Sequence, residues 1–277
     1  MATLRETVEH YPYIAVDTEF PGIVARPIGA FKNHNEFQYQ TMRCNVELLR
    51  VIQIGLTLCD ADGNFAPEPC TWQFNFKFDL EEDMIAPESV EQLRLANLDF
   101  QRHREFGIIP DQFAELLITS GLVLNDEVTW ISYASQNDLG YLLKVLTAAA
   151  LPTAEVDFHD LLAIWLPRLY DIKYIVRSMR PIKAGLQELA EEFGIARQGQ
   201  APQAGINSHM IAAVFFKVRN AFFGGEDIDE AKFSGHIYGI SGDSSFMPTN
   251  APNVSTPGGS IGHQQPIHSH LKHDWPR

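Results

Sequence analysis

The chain has 277 residues, of which 45% are hydrophobic and 11% aromatic, and its formal net charge is −14. This composition supports a sizeable buried core and argues against an intrinsically disordered chain. The negative charge excludes a protein that grips nucleic acid through a broad basic face, but it is compatible with a nuclease whose carboxylates hold divalent cations.

The cysteines and the apolar segments indicate a soluble intracellular protein. The chain has an odd number of cysteines and no Cys-x-x-Cys pair; they are Cys44, Cys59 and Cys70. We therefore expect free thiols in a reducing compartment. No apolar run approaches the roughly 20 residues that span a bilayer, and residues 1–13 lack the pattern of a secretory signal. We therefore expect no membrane partner.

The first third of the chain predicts strands. Residues 13–20, YIAVDTEF, form an apolar run that ends in polar residues. Residues 48–59 form a second β-rich run, an Asp-Gly turn follows at 60–64, and residues 70–78 alternate polar and aromatic side chains. This pattern is typical of a hairpin next to a buried strand. We expect the alternating aromatics to pack in the core or on the sheet: Trp72, Phe74, Phe76 and Phe78.

The rest of the chain predicts helices with one returning strand at 128–133. Apolar spacing, with prolines near the first two helix starts, predicts helices over 89–98, 111–122, 138–146, 154–166, 186–193 and 208–222. Strands first and helices later, with a strand between helices, predict an α/β fold with a mixed sheet flanked by helices.

The composition changes at Ser241. From there to the end the sequence is rich in Gly, Pro, Ser and His and lacks the apolar residues that a core needs. We therefore predict one folded domain over residues 1–240 and a disordered tail over 241–277. We expect no fixed metal-binding geometry from the four tail histidines, His263, His268, His270 and His273.

Two acidic residues end the first predicted strand. Asp17 and Glu19 are two positions apart, so their side chains project from the same face. Carboxylates held this close repel each other unless a cation lies between them, and Mg²⁺ or Mn²⁺ prefers such oxygen ligands. The pair alone is a weak signal, because most Asp and Glu residues at strand ends are simply solvated.

Two later positions strengthen the case for a site. Asp138 follows the returning strand and opens a helix, and a further helix opens near Asn207. Either residue also suits an ordinary capping role at a helix start. We expect Asp138 and Asn207 to converge with Asp17 and Glu19 at one edge of the sheet.

Several long segments carry a family resemblance. YIAVDTEFPGIVARPIGAF, TWQFNFKFDLEEDMIAPESVE, GLQELAEEFGI and GHIYGI resemble the CCR-associated-factor (Pop-type) poly(A)-specific ribonucleases, from about Tyr13 to Ile240. The resemblance implies a ribonuclease-H-like DEDD exonuclease that removes poly(A) tails from messenger RNA and releases 5′-AMP. It also implies assembly with the Not scaffold subunit and the Ccr-type deadenylase, in nucleus and cytoplasm.

The resemblance implies four metal-binding, catalytic positions. In the family, four acidic residues bind two divalent cations, one activating a water and the other stabilising the leaving 3′ oxygen. The first three positions match Asp17, Glu19 and Asp138, and the fourth falls on Asn207. We expect Asn207 to be a weak ligand, since its amide lacks the negative charge on which hard cations depend.

Other positions near the site also depart from the family. The general-base histidine falls on Pro202, which cannot exchange a proton and so forgoes roughly 10²–10⁴-fold in rate. The usual His-Ser-Gly-Tyr-Asp run reads Ala134-Ser135-Gln136-Asn137-Asp138. His209 lies two residues past Asn207, about 200° around a helix, so we expect it to face away.

These observations leave two main hypotheses. The chain is an active, attenuated poly(A) exoribonuclease, or it is a catalytically weak or inactive binding and scaffold subunit of the same complex. A DNA exonuclease of the same superfamily fits the family-specific segments poorly. Phe20, next to the acidic pair, is a candidate to stack on a terminal base, as aromatic residues do in single-strand sites.

Overall fold

The structure is a computed structural model, and it describes residues 1–181, 185–197, 199 and 203–242. Five strands form one sheet in the order β3-β2-β1-β4-β5. β1 pairs antiparallel with β2, and β2 with β3, whereas β1, β4 and β5 run parallel. The strands are β1 Tyr13–Glu19, β2 Gln53–Cys59, β3 Thr71–Asn75, β4 Thr129–Ser132 and β5 Arg168–Asp171.

Helices cover both faces of the sheet and confirm the predicted mixed α/β class. No helix in the described residues is long and apolar enough to cross a bilayer. In the same residues the helices are α1 Ala2–Val8, α2 His34–Leu48, α3 Pro87–Leu95, α4 Phe100–Phe106, α5 Pro110–Ile118, α6 Gln136–Thr147, α7 Glu155–Trp165, α8 Ile172–Met179, α9 Leu186–Glu192, α10 Ala204–Phe223 and α11 Glu230–Phe233.

Alternation along β1 divides the core into two layers. Ile14 and Val16 are buried in the larger cluster, together with side chains of α2, α5, α6 and α7. Ala15 points to the opposite face, where the second cluster contains side chains of α8, α9 and α10. Because Asp17 and Glu19 alternate in phase with Ala15, both acids lie on the face that α10 covers.

The sequence pattern located most of these elements, with differences where segments are short or polar. The aromatic prediction is confirmed, since Phe76 and Phe78 are fully buried and Phe74 packs against Phe113 at 4.8 Å between ring centroids. The strand predicted from residue 48 begins only at Gln53, because α2 continues to Leu48. β5 was missed, since its four residues are too few to show an alternation.

The domain boundary stays a prediction. Nearly all of the proposed tail, 241–277, lies outside the described residues, and this includes its four histidines. Ser241 and Gly242 are described, and both make contacts with the folded part. The Ser241 hydroxyl lies 3.3 Å from His159 Nε2, and the Gly242 carbonyl accepts a 2.8 Å hydrogen bond from Asn35.

The N-terminus of α10 lies directly on β1 and β2. Gly55 permits this approach, because a Cβ there would overlap the carbonyl group of Ala204 and the amide nitrogen of Gly205. Hydrogen bonds fix the contact: the Thr57 and Ser208 hydroxyls lie 2.9 Å apart, and Gln73 Oε1 accepts from the Gly205 amide at 3.0 Å. The first turn of α10 is therefore anchored beside the end of β1.

We expect Gly55→Ala to destabilise the protein. The added methyl group has no room between β2 and α10, and overpacking of this kind costs roughly 1–3 kcal/mol. Urea unfolding followed by circular dichroism measures the loss. Gly185→Ala is a matched control, because a Cβ there would meet only the end of the Glu188 side chain. Equal unfolding midpoints for Gly55→Ala and the unmodified chain would contradict the role given to Gly55.

Candidate active site

The structure brings the three predicted acids to one edge of the sheet. Asp17 and Glu19 end β1, and Asp138 lies in the first turn of α6, just after β4. β1 and β4 are parallel neighbours, so their carboxyl ends meet at the same edge. Thr18 joins them: its amide and its hydroxyl donate to Asp138 Oδ1 at 3.0 and 2.6 Å.

A buried aspartate at the end of β5 fixes the turn that carries Asp138. Asp171 is fully buried and accepts hydrogen bonds from the backbone amides of Ala134 at 2.9 Å and Ser135 at 3.2 Å. It also caps α8 by accepting from the Lys173 amide at 2.9 Å. Asp171 was not predicted as a site residue, although an aspartate between a short apolar run and a helix is a recognisable capping signal.

Asn207 lies beside Asp17, but not as a helix cap. α10 begins at Ala204 with Gln203 as its N-cap, so the interpretation of Asn207 as an N-cap was wrong. Asn207 instead sits in the first turn, and its Nδ2 donates to Asp17 Oδ2 at 3.0 Å. The fourth position of the site therefore presents an N–H donor to the neighbouring carboxylate.

Burial, together with the neighbouring charges, raises the pKa values of the three carboxylates. Burial, followed by the charges of Asp138 and Glu19, raises the pKa of Asp17 well above its ordinary value, and the hydrogen bond from Asn207 opposes the rise. Burial and the charge of Asp138 raise the pKa of Glu19 to about 8. Burial raises the pKa of Asp138 to about 6, against the bonds from Thr18. A bound cation would relieve this repulsion and release protons.

The donor set fits a hard divalent cation in part. Asp17, Glu19 and Asp138 offer the carboxylate oxygens that Mg²⁺ and Mn²⁺ prefer. Within the residues that the structure describes, however, no three His, Cys, Asp or Glu side chains are arranged to enclose an ion. The carboxylates are therefore gathered but do not form a ready chelate.

The remaining candidates have individual positions. Phe20 is half-buried and packs against Tyr141, with ring centroids 5.1 Å apart, and its stacking on a base stays a prediction. His209 stacks on Phe65 at 4.1 Å between ring centroids, where it has no contact with the carboxylates, in agreement with the predicted orientation. Pro202 lies outside the described residues.

Comparison with solved structures first defines the fold class. Exonuclease I, at 15% identity, superposes with a TM-score of 0.52 over 76% of this chain and 40% of its own. At that identity the likeness concerns the fold alone, and it agrees with the predicted ribonuclease-H-like architecture.

Closer relatives then define the family. The CAF1 family ribonuclease model matches residues 1–114. Poly(A) ribonuclease pop2 of Schizosaccharomyces pombe is 47% identical over 257 residues, which are 93% of this chain and 76% of the relative. The probable CCR4-associated factor 1 homolog 7 of Arabidopsis thaliana is 44% identical over 87% of this chain and 88% of the relative. The chain therefore belongs to the CAF1 family of ribonucleases.

Two structures of relatives agree with this assignment. The Mg²⁺- and Mn²⁺-bound form of S. pombe Pop2p superposes with a TM-score of 0.83 at 47% identity, over 86% of this chain and 94% of that one. The yeast NOT1 MIF4G domain co-crystallized with CAF1 contains a chain with a TM-score of 0.72 at 34% identity. That match covers 86% of this chain and 91% of the other.

The raised pKa of Glu19 predicts a pH-dependent cost to stability without metal. The pKa is about 8 in the fold against an ordinary 4.5. The proton bound to Glu19 therefore adds its full contribution to the free energy of unfolding below about pH 4.5, and this contribution is lost as the pH rises through 8. Glu19→Gln has no such loss. In EDTA we expect the variant to gain roughly 4 kcal/mol over the unmodified chain between pH 5 and pH 8.5, or about 10 °C in Tm.

Thermal unfolding at the two pH values measures this gain. Adding Mn²⁺ at pH 8.5 should raise the Tm of the unmodified chain more than that of Glu19→Gln. The control is Glu88→Gln, which removes an exposed charge from α3. A pH-independent difference between Glu19→Gln and the unmodified chain would contradict the raised pKa of Glu19.

Proposed function

We propose that this protein is a 3′→5′ exoribonuclease that shortens messenger-RNA poly(A) tails and releases 5′-AMP. The observation that carries the proposal is the convergence of Asp17, Glu19 and Asp138 at one sheet edge in a CAF1 family fold. The name of the S. pombe relative, a poly(A) ribonuclease, supports the substrate. The Mg²⁺- and Mn²⁺-bound Pop2p structure supports two divalent cations as cofactors.

The residues present divide the work of such a site. Asp17, Glu19 and Asp138 would hold the cations, which when bound supply an activated water and neutralise charge on the phosphate. Thr18 orients Asp138 through two hydrogen bonds, and Asp171 holds the turn before it. Asn207 orients Asp17 through its amide N–H.

Two positions favour low turnover. Asn207 is neutral and turns a donor towards Asp17, so the cation site has one anionic ligand fewer than the family pattern. Pro202 stands where the family has its general base. These substitutions motivate a second candidate function, in which the chain is a weak or inactive binding and scaffold subunit that keeps the fold and its protein contacts.

Both candidate functions share the same assembly. We propose that the chain docks on a Not scaffold subunit and acts with a Ccr-type deadenylase. The relative co-crystallized with the yeast NOT1 MIF4G domain supports the first of these partners. Location in both nucleus and cytoplasm is part of the proposal and rests on the family resemblance.

An oligo(A) shortening assay separates the two candidates. With labelled oligo(A) and Mg²⁺ or Mn²⁺, we expect slow shortening by the unmodified chain. The Asn207→Asp, Pro202→His double variant should be at least about 10²-fold faster, because it regains a charged ligand and a general base. Rates are read from the ladder of products on a denaturing gel.

Asp17→Ala in each background is the control, because it removes the first carboxylate and should abolish shortening. No shortening by the unmodified chain, with activity in the double variant, would favour the binding subunit. If the double variant also fails to shorten oligo(A), the proposed exonuclease chemistry is wrong for this site.

A further inference from the structure

A polar cavity lies beside the carboxylates on the same face of the sheet. Its volume is about 260 Å³, and its wall includes Gln53, Gln73, Asn75 and Gln203. The rim includes side chains of α4 and of the turn before it, among them Asn97, Arg102, His103 and Phe106. The acids discussed above do not line this cavity, so it needs its own explanation.

Strand register fixes where the cavity lies relative to the acids. Glu19 is opposite Gln53, and Gln53 is opposite Asn75. Opposite residues in antiparallel pairs project from the same face, so these three side chains form a row on the face that carries Asp17. Two strand spacings amount to roughly 10 Å, which places the cavity within one or two nucleotides of the carboxylates along an extended strand.

Amide side chains make the inner wall rigid. Gln73 Nε2 donates to Gln203 Oε1 at 2.9 Å, and Gln53 Nε2 donates to Asn75 Oδ1 at 2.8 Å. Gln203 Nε2 in turn donates to the Ala96 carbonyl at 3.0 Å. The wall is thus held by its own hydrogen bonds before any ligand arrives, which lowers the entropy cost of binding.

The rim pairs a donor with an acceptor. The side-chain hydrogen bonds that Asn75 makes to other described residues use its Oδ1, so its Nδ2 remains available as a donor at the cavity wall. His103 is 4% exposed, and its Nδ1 lies 2.8 Å from the Phe76 carbonyl. That carbonyl only accepts, so Nδ1 carries the proton and Nε2 is an acceptor. Adenine needs such a pair, because its N6 amino group donates while its neighbouring ring nitrogen accepts.

One turn of α4 adds an aromatic ring and a cation. Phe106 is 75% exposed at the cavity rim, a position suited to stacking on a base. Arg102 lies four residues earlier on the same helix face. Its guanidinium takes part in none of the ion pairs between described residues, so it can meet a phosphate.

We propose that this cavity is a nucleobase subsite that receives an adenine of the RNA strand upstream of the carboxylates. Asn75 and His103 contact the base edge, Phe106 stacks on the base, and Arg102 contacts the backbone. The inference rests on the proposed function, because it identifies which feature of the RNA this site selects. It gives a chain of net charge −14 a local means of holding RNA.

Equilibrium binding tests the subsite without relying on catalysis. Fluorescein-labelled A15 and U15 are titrated with the full chain in EDTA, which prevents metal-dependent cleavage, and anisotropy gives Kd. We expect the unmodified chain to bind A15 about tenfold more tightly than U15. Phe106→Ala should weaken A15 binding about tenfold, since it removes a stacking platform.

A second variant addresses the base edge. Asn75→Asp keeps the Oδ1 acceptor of the amide network and replaces the donor NH₂ by oxygen. Its added negative charge weakens the binding of both oligonucleotides. The informative quantity is therefore the Kd for U15 divided by the Kd for A15, which should fall towards one. The control for Phe106→Ala is Leu95→Ala, which truncates a 68% exposed apolar residue on α3 outside the cavity and should leave both affinities unchanged.

The outcomes separate this inference from the proposed function. If the unmodified chain shows no preference for A15, or if neither cavity variant changes binding more than Leu95→Ala, the subsite is wrong even where oligo(A) is shortened. If the chain binds neither oligonucleotide, the proposed RNA substrate fails together with the subsite. Adenine-selective binding that the variants reduce, without any shortening, supports the subsite in a binding subunit.

Discussion

The hydrogen bonds from Thr18 to Asp138 are the interaction on which the site depends. They join the end of β1 to the start of α6 at the one residue that separates Asp17 from Glu19. Three carboxylates are thereby held together at a cost, since burial and the charge of Asp138 raise the pKa of Glu19 to about 8. Carboxylates gathered and perturbed in this way are typical of functional sites.

Asn207 changes the balance at this edge. An amide in place of a fourth carboxylate reduces the repulsion, and its N–H donates directly to Asp17. The same change removes negative charge from the position that would help to hold a cation. Asp17 is therefore better satisfied without metal, and a cation at this edge would meet one anionic ligand fewer.

Local sequence signals predicted the acidic residues of the site. The role of Asn207 and the polar cavity depend on contacts between distant parts of the chain, and these were not predicted. Asp17, Glu19 and Asp138 could be predicted because each ends a strand or opens a helix within its own segment. The role of Asn207 could not, since it depends on the packing of α10 over Gly55. The hydrogen bond between Gln73 and Gln203 joins residues far apart in sequence, so no local sequence pattern predicts the polar cavity.

The buried carboxylate of Asp171 has a consequence for the end of the folded region. Besides the turn before Asp138, it accepts from the Tyr238 amide at 3.1 Å. A chain shortened before Tyr238 would leave an anion in the core with one donor fewer, and the turn bearing Asp138 would lose part of its clamp. The last described residues of the chain thus help to hold in place the sheet edge that carries the acids, which come from much earlier in the chain.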